Sequence, residues 1–151
     1  MALMPYKHLL VPSDGTERSQ RAVEEAVRLA LALGAHLTVL TVERSPVMPV
    51  PGMGERLDPS TLEALASAAR QEAQRVVSEA LAVAAAAGVA ASAERLAGEA
   101  PHRAIVAAAR RLGCDLIVMA SHGRRGLKGM LLGSETQRVL VQASVPVLVV
   151  R

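Results

Sequence analysis

The residues best suited to chemistry lie together in one stretch, Ala120-Ser-His-Gly-Arg-Arg-Gly-Leu-Lys-Gly-Met-Leu-Leu-Gly-Ser134. Glycine lets backbone N–H groups approach a ligand closely. Arg124, Arg125 and Lys128 place cations in the same loop. Before it runs Asp115-Leu-Ile-Val-Met119, an apolar segment that reads as a buried strand; after it comes Ser134-Glu-Thr-Gln137, which reads as a capping box opening a helix. The amino end of a helix carries partial positive charge and unsatisfied N–H groups. Strand, glycine-bearing loop and helix start together form an anion cradle. The chemistry they imply is binding of a phosphate-bearing small ligand at Gly123–Ser134.

Other reactive residue types are scattered. Ser13, Asp14, Ser121 and His122 supply the side chains of a hydrolytic triad, but no Gly-x-Ser-x-Gly elbow accompanies them. His122 reads as a loop residue near the phosphate or packed against the turn. His8, His36 and His102 fall in different elements without metal-ligand spacing, so the four histidines read as unrelated. Cys114 is the only cysteine, which excludes a disulfide framework and a cysteine-based zinc site. Between a helix end and a strand, it reads as a small buried thiol.

The 151 residues suffice for one domain with a single core. Tyr6 is the only aromatic residue, so aliphatic side chains must fill that core. The net charge of +3 invites a nucleic-acid reading, but the arginines are spread over several helices and base-stacking platforms are lacking; no nucleic-acid partner is expected. No apolar run reaches the roughly 18 residues of a membrane span, and the first residues lack the regions of a signal peptide. No membrane partner is expected, and the location expected is cytoplasmic.

The elements that must position the loop alternate. Lys7–Pro12 reads as strand one, ending at Pro12-Ser-Asp-Gly. Thr16–Leu33 reads as a helix with an apolar stripe, stopped by Gly34, and Ala35–Val42 as strand two. Residues 44–57 are rich in Pro and Met, lack a period and read as a flexible loop or lid. Asp58-Pro59 opens a long helix ending at Gly88, whose alanine-rich stripe from Leu62 to Ala87 reads as a core face. Val89–Leu96 fits strand three, Pro101–Leu112 helix three, Asp115–Met119 strand four, Ser134–Ala143 helix four and Val145–Val150 strand five. This alternation predicts an α/β fold with a parallel sheet covered on both faces, in one domain spanning 1–151. In such sheets ligands sit beyond the carboxyl ends of the strands, where strand order reverses.

Over nearly its whole length the chain resembles the universal stress protein family. The similarity rests on His8-Leu-Leu-Val-Pro-Ser-Asp14 with Ser19, Gly98-Glu-Ala-Pro101 with Ile105, Asp115–Gly123, Gly133-Ser134, and Pro146-Val-Leu-Val-Val150. The resemblance implies an open, five-stranded parallel sheet in the order 3-2-1-4-5, a Rossmann-like adenine-nucleotide-binding fold. Members that bind ATP carry Gly-x-x-Gly, nine residues, then Gly-Ser or Gly-Thr. Gly123 and Gly133-Ser134 fit that spacing, while Ala120 replaces the first glycine. Alanine adds a methyl and resists positive φ, so the departure matters most if this position is left-handed.

By the same resemblance the Pro12-Ser13-Asp14 turn, with Asp14 at ribose or adenine, and the Val42 backbone form the nucleoside side. Met119 and Ala120 line base and sugar. Gly123, Arg124, Gly133, Ser134 and the backbone of Glu135 belong to the phosphate side. A carboxylate is a natural acceptor from ribose hydroxyls. Mg²⁺ would arrive with the phosphates of ATP rather than in a protein cage. The expected function is a small regulatory, stress-response dimer that binds ATP or another adenine nucleotide and is not an enzyme. Two rivals stand beside it: a dimeric interaction module without nucleotide, and a slow nucleotide hydrolase. The homodimer is expected through the edge strand at 145–150.

Overall fold

The computed structural model describes residues 5–43, 58–98, 100–122 and 131–151. The expected loop at 44–57, and Gly123, Arg124, Arg125 and Lys128 of the phosphate loop, lie outside the described residues.

Five strands and four helices alternate: β1 (His8–Pro12), α1 (Glu17–Leu33), β2 (His36–Glu43), α2 (Pro59–Ala86), β3 (Ala91–Ala97), α3 (Pro101–Leu112), β4 (Leu116–Ala120), α4 (Ser134–Gln142) and β5 (Val147–Val150). All pairings are parallel, in the order β3-β2-β1-β4-β5. The order reverses between β1 and β4, which is the expected ligand position in such a sheet.

Alternation along the strands divides the core into two layers. Leu9, Val11, Leu37, Val39, Leu116, Val118 and Ala120 face α1 and α2, packing on Ala22, Val23, Ala26, Val27, Val77, Ala80 and Ala84. Leu10, Leu40, Ile117 and Met119 face the other way, onto Ile105, Ala108 and Ala109 of α3 and Val139 of α4. Burial on both faces explains why the central strands read as continuous apolar runs. Leu9, Leu10, Leu37, Leu40 and Ile117 are wholly buried, and each such side chain contributes roughly 1.5–3 kcal/mol.

Caps explain most helix boundaries. Thr16 caps α1 by accepting from the Ser19 N–H, and Gly34 ends it in the left-handed region at φ 63°. Asp58 caps α2 with Pro59 in its first turn. The Val89 N–H returns to the Ala84 carbonyl, so residues 89 and 90 close the helix and β3 starts later than expected. The α2 stripe is core only in part: Ala73, Val76, Val77, Ala80 and Ala84 are buried, whereas Leu65 is 41% exposed.

Strand five also starts late. Pro146 has no N–H to give the ladder, but its carbonyl accepts from Ile117 at 3.0 Å. Val145 packs beside it against the α3–α4 core. At the other strand ends the differences are one residue or so, as is usual for boundaries.

Candidate functional site

Two strand-end turns and a helix start meet at the reversal point. Leu9 and Leu10 of β1 pair with Leu116 and Ile117 of β4. Carried forward, that register sets Ser13 and Asp14 alongside Ala120 and Ser121. The Ser13 N–H also donates to the Leu40 carbonyl at 2.8 Å, which ties the β1 turn to the carboxyl half of β2. Val42 follows near the end of that strand, half-buried and in register with Leu96.

The β1 turn is held by its own polar side chains. Ser13 Oγ lies 3.1 Å from Ser19 Oγ and accepts from the Gly15 N–H at 3.3 Å. One oxygen of Asp14 accepts from the Thr16 N–H at 3.0 Å and the Thr16 hydroxyl at 2.6 Å. Gly15 is required here on two counts. Its φ is +79°, and a Cβ would stand 2.8 Å from Val76 Cγ2 of α2. Pro12 ends β1 half-buried, so the turn presents the half-buried Asp14 carboxylate at the strand end.

The β4 turn is fastened to α4. The Ser121 N–H donates to Val150 at 2.9 Å, and the Ser121 carbonyl accepts from the Gly133 N–H at 2.6 Å. The Thr136 hydroxyl donates to the Ala120 carbonyl at 3.0 Å. These bonds bring the amino end of α4 to the end of β4, although residues 122–132 separate them in the sequence. Ser121 Oγ lies 3.1 Å from His122 Nδ1, and both residues are buried.

Several expectations change. The capping box at Ser134-Glu-Thr-Gln137 does not form. Gly133 is the N-cap, in extended backbone, and makes no side-chain cap bond. Its N–H is committed to Ser121, so the helix entry falls one residue earlier and the Gln137 amide donates to the Leu132 carbonyl instead. Ser134 is thereby left exposed at the first position of α4. Ala120 does not occupy a left-handed position, since no described non-glycine residue has positive φ. Its methyl packs in the α1–α2 core, and the Met119 side chain packs in the α3–α4 core.

The histidines are not all unrelated. His8 and His36 are register partners at the amino ends of β1 and β2, with ring centroids 4.8 Å apart. His8 Nε2 lies 2.7 Å from Thr38 Oγ1 and His36 Nε2 lies 3.0 Å from Ser92 Oγ. A parallel pairing of strands one and two, each starting on histidine, was the signal available for this contact. His102 meets Glu135 across the α3–α4 junction, with Nδ1 2.9 Å from a carboxylate oxygen. Nothing in the spacing of those two residues announces it.

Cys114 is buried, as expected, and burial, reinforced by Asp115 and Glu94, pushes its thiol up to about 11. That leaves it an inert packing group at neutral pH. Among the described residues no group of three or more His, Cys, Asp or Glu is placed to hold a metal ion, and no helix is long and apolar enough to cross a membrane. An open groove of about 430 Å³ runs between β3 and α3, but its charged residues are paired, Glu94 with Arg111 and Arg95 with Glu43. A smaller cavity of about 150 Å³ lies behind the β1 turn, between Gly15, Val23, Val76 and Ala80.

Comparison with known proteins agrees with this architecture. Universal stress protein YxiE of Bacillus subtilis is 33% identical over 148 residues, covering 97% of this chain and 99% of the relative. The structure of MJ0577 from Methanocaldococcus jannaschii superposes with a TM-score of 0.83 at 27% identity, covering 97% of this chain and 96% of that one. A universal stress protein crystallised in complex with cAMP superposes with a TM-score of 0.71, also at 27% identity, over 97% and 98% of the two chains. The model of the universal stress protein family matches residues 5–151. With the five-stranded parallel sheet in the order β3-β2-β1-β4-β5 and a match that runs almost end to end, the chain belongs to the universal stress protein family.

Proposed function

We propose that this protein binds an adenine nucleotide, ATP in the first instance, at the carboxyl ends of β1, β2 and β4. The observation that carries this is the 2.6 Å bond from the Gly133 N–H to the Ser121 carbonyl. It holds the amino end of α4 at the end of β4, beside the Asp14 turn. The first-turn N–H groups of a helix have no carbonyl partner within it and carry partial positive charge, which suits phosphate. The cAMP complex of a structural relative at 27% identity supports the same ligand class.

In this reading Asp14 accepts from a ribose hydroxyl or the base, and the Val42 backbone meets the adenine edge. Pro12, Ser13, Met119 and Ala120 form the wall behind them, through backbone rather than side chain at Met119. Ser134 and the Glu135 backbone take the phosphates together with Gly123 and Arg124, while Gly133, its N–H spent on Ser121, sets the helix start. Mg²⁺ would accompany the phosphates of ATP and offset their charge, rather than sit in a protein cage. In this reading the role is binding and regulation rather than turnover. The protein acts in the cytoplasm as a homodimer joined at β5.

The test is to denature the purified protein and identify what it releases by chromatography. Adenine nucleotide near one equivalent per chain, in the released or the reloaded protein, supports the reading. A chain that carries none and takes up none from millimolar MgATP returns it to the class of empty interaction modules.

A further inference from the structure

Helix α3 begins without a cap of its own. Ala100 at its N-cap makes no side-chain bond, and Pro101 fills the first turn. The acceptor missing there comes from another helix. Glu135, in the first turn of α4, takes the His102 backbone N–H on Oε2 at 2.8 Å, and His102 Nδ1 lies 2.9 Å from the same oxygen. Its other oxygen, Oε1, accepts from Arg138 Nη1 at 3.0 Å. His102 is buried, with 8% of its surface exposed, and Glu135 is half-buried. One carboxylate thus joins the amino ends of α3 and α4.

The position of this carboxylate bears on the phosphate side of the site. A negative charge in the first turn of α4 opposes a polyphosphate at the same helix end. Glu135 directs its oxygens to α3 and to Arg138, where three donors meet them. The contact also gives the amino end of α4 a second attachment, beside the Ser121 bond that holds Gly133. The helix end is therefore clamped between two attachments, and its first-turn N–H groups are held in one direction.

Resting on the nucleotide reading above, we propose that Glu135 and His102 are positioning residues that hold the amino end of α4 in the geometry that receives the nucleotide's phosphates. Neither side chain touches the nucleotide. Adenosine, which lacks phosphates, is indifferent to the clasp, whereas ATP depends on it. Because both His102 bonds end on a single oxygen, a glutamine at 135 retains them and an alanine does not.

The experiment is calorimetric titration of wild type, Glu135→Ala, Glu135→Gln and His102→Ala with MgATP and with adenosine, each protein first checked by thermal melting. Loss of charge-assisted bonds should weaken ATP binding by Glu135→Ala about tenfold, with adenosine binding unchanged. Glu135→Gln should stay within about threefold of wild type for both ligands. His102→Ala tests the same contact from the α3 side, where the backbone N–H bond survives, and should give a smaller loss confined to ATP. Should Glu135→Ala fail to fold, the ATP-to-adenosine ratio in His102→Ala and Glu135→Gln decides. Equal loss of both ligands, unchanged ATP affinity, tighter ATP binding in Glu135→Ala, or a glutamine variant as weak as the alanine one overturns the clasp. A wild type that binds neither ligand overturns the nucleotide reading itself and the clasp with it.

Discussion

Ala120 takes the first glycine position of the Gly-x-x-Gly pattern that the family resemblance implies for ATP binding, and its backbone shows what the exchange means. It ends β4 in extended pairing with Val150, without positive φ, and its methyl belongs to the apolar core on the α1–α2 side of the sheet. There is no left-handed strain for glycine to relieve. Ala120→Gly is therefore expected to improve ATP affinity by no more than about fivefold, or roughly 1 kcal/mol. It should also destabilise the fold by about 1 kcal/mol through the lost methyl and a freer strand. Calorimetry and melting together check this; a gain well beyond fivefold would mean that the methyl obstructs the ligand. The His8–His36 pair gives a second residue-level expectation. Burial, then the neighbouring His36 ring, hold His8 below the ordinary imidazole value, against the opposing pull of the Leu112 carbonyl and Asp115. On acidification the unfolded chain takes up this proton before the folded one. Stability is thus present above the ordinary imidazole range and is lost as pH falls through the folded value. Burial of Glu135 raises its pKa, but the His102 bonds and Arg138 outweigh it, and the Arg111 bond holds Glu94 low; both carboxylates lose their contribution only at more acid pH. Melting temperature followed from about pH 7.5 to 5 should fall in the wild type and less steeply in His36→Gln. Identical slopes would show that the pair does not control the acid limb.

At the scale of elements, the β5 edge has a directional consequence. The carbonyls of Pro146 and Val150 accept from the N–H groups of Ile117 of β4 and of Ser121 just beyond it. Alternate residues of a strand turn their polar groups to opposite sides, so Val147 and Val149 present N–H and C=O outward at the free edge. Leu148 of β5 is 39% exposed, and Leu140 and Val141 of α4 are 41% and 85% exposed. Val149→Pro deletes an outward donor and leaves the β4 ladder its bonds, so it should weaken the proposed β5 homodimer more than it lowers the melting temperature. Sedimentation of wild type and variant at micromolar concentration decides: an equally dimeric variant, or a monomeric wild type, places no interface here. The elements themselves were largely legible, because strands buried on both faces and helices stopped by Gly34, Gly88 and Gly113 leave strong local signals. The α4 cap was not. Its true position depends on the Gly133 bond to Ser121, a tertiary contact that outweighs the local Ser-x-x-Gln pattern. The exposed first part of the α2 stripe was hidden for a similar reason: periodicity reveals a face but not where the sheet beneath it stops.

At the scale of the whole molecule, the topology does what no single residue can. Asp14 and Ser134 are far apart in sequence, and only the β1–β4 neighbourhood, with α4 returning to Ser121, brings their turns together. The candidate site was legible as a motif at its phosphate end and as a strand-end carboxylate at its other end. The support behind it, Glu135 on α3 and Thr136 on Ala120, was not, because side-chain contacts between helices leave no period in the sequence. The central claim is that this architecture is used to bind an adenine nucleotide. Calorimetric titration of the purified protein with MgATP, ADP, AMP and GTP tests it most directly. The account predicts saturable binding of adenine nucleotides at micromolar affinity or weaker, strengthened by Mg²⁺ and stronger than for GTP. Absence of heat and of any thermal shift with all of them at millimolar concentration would contradict it.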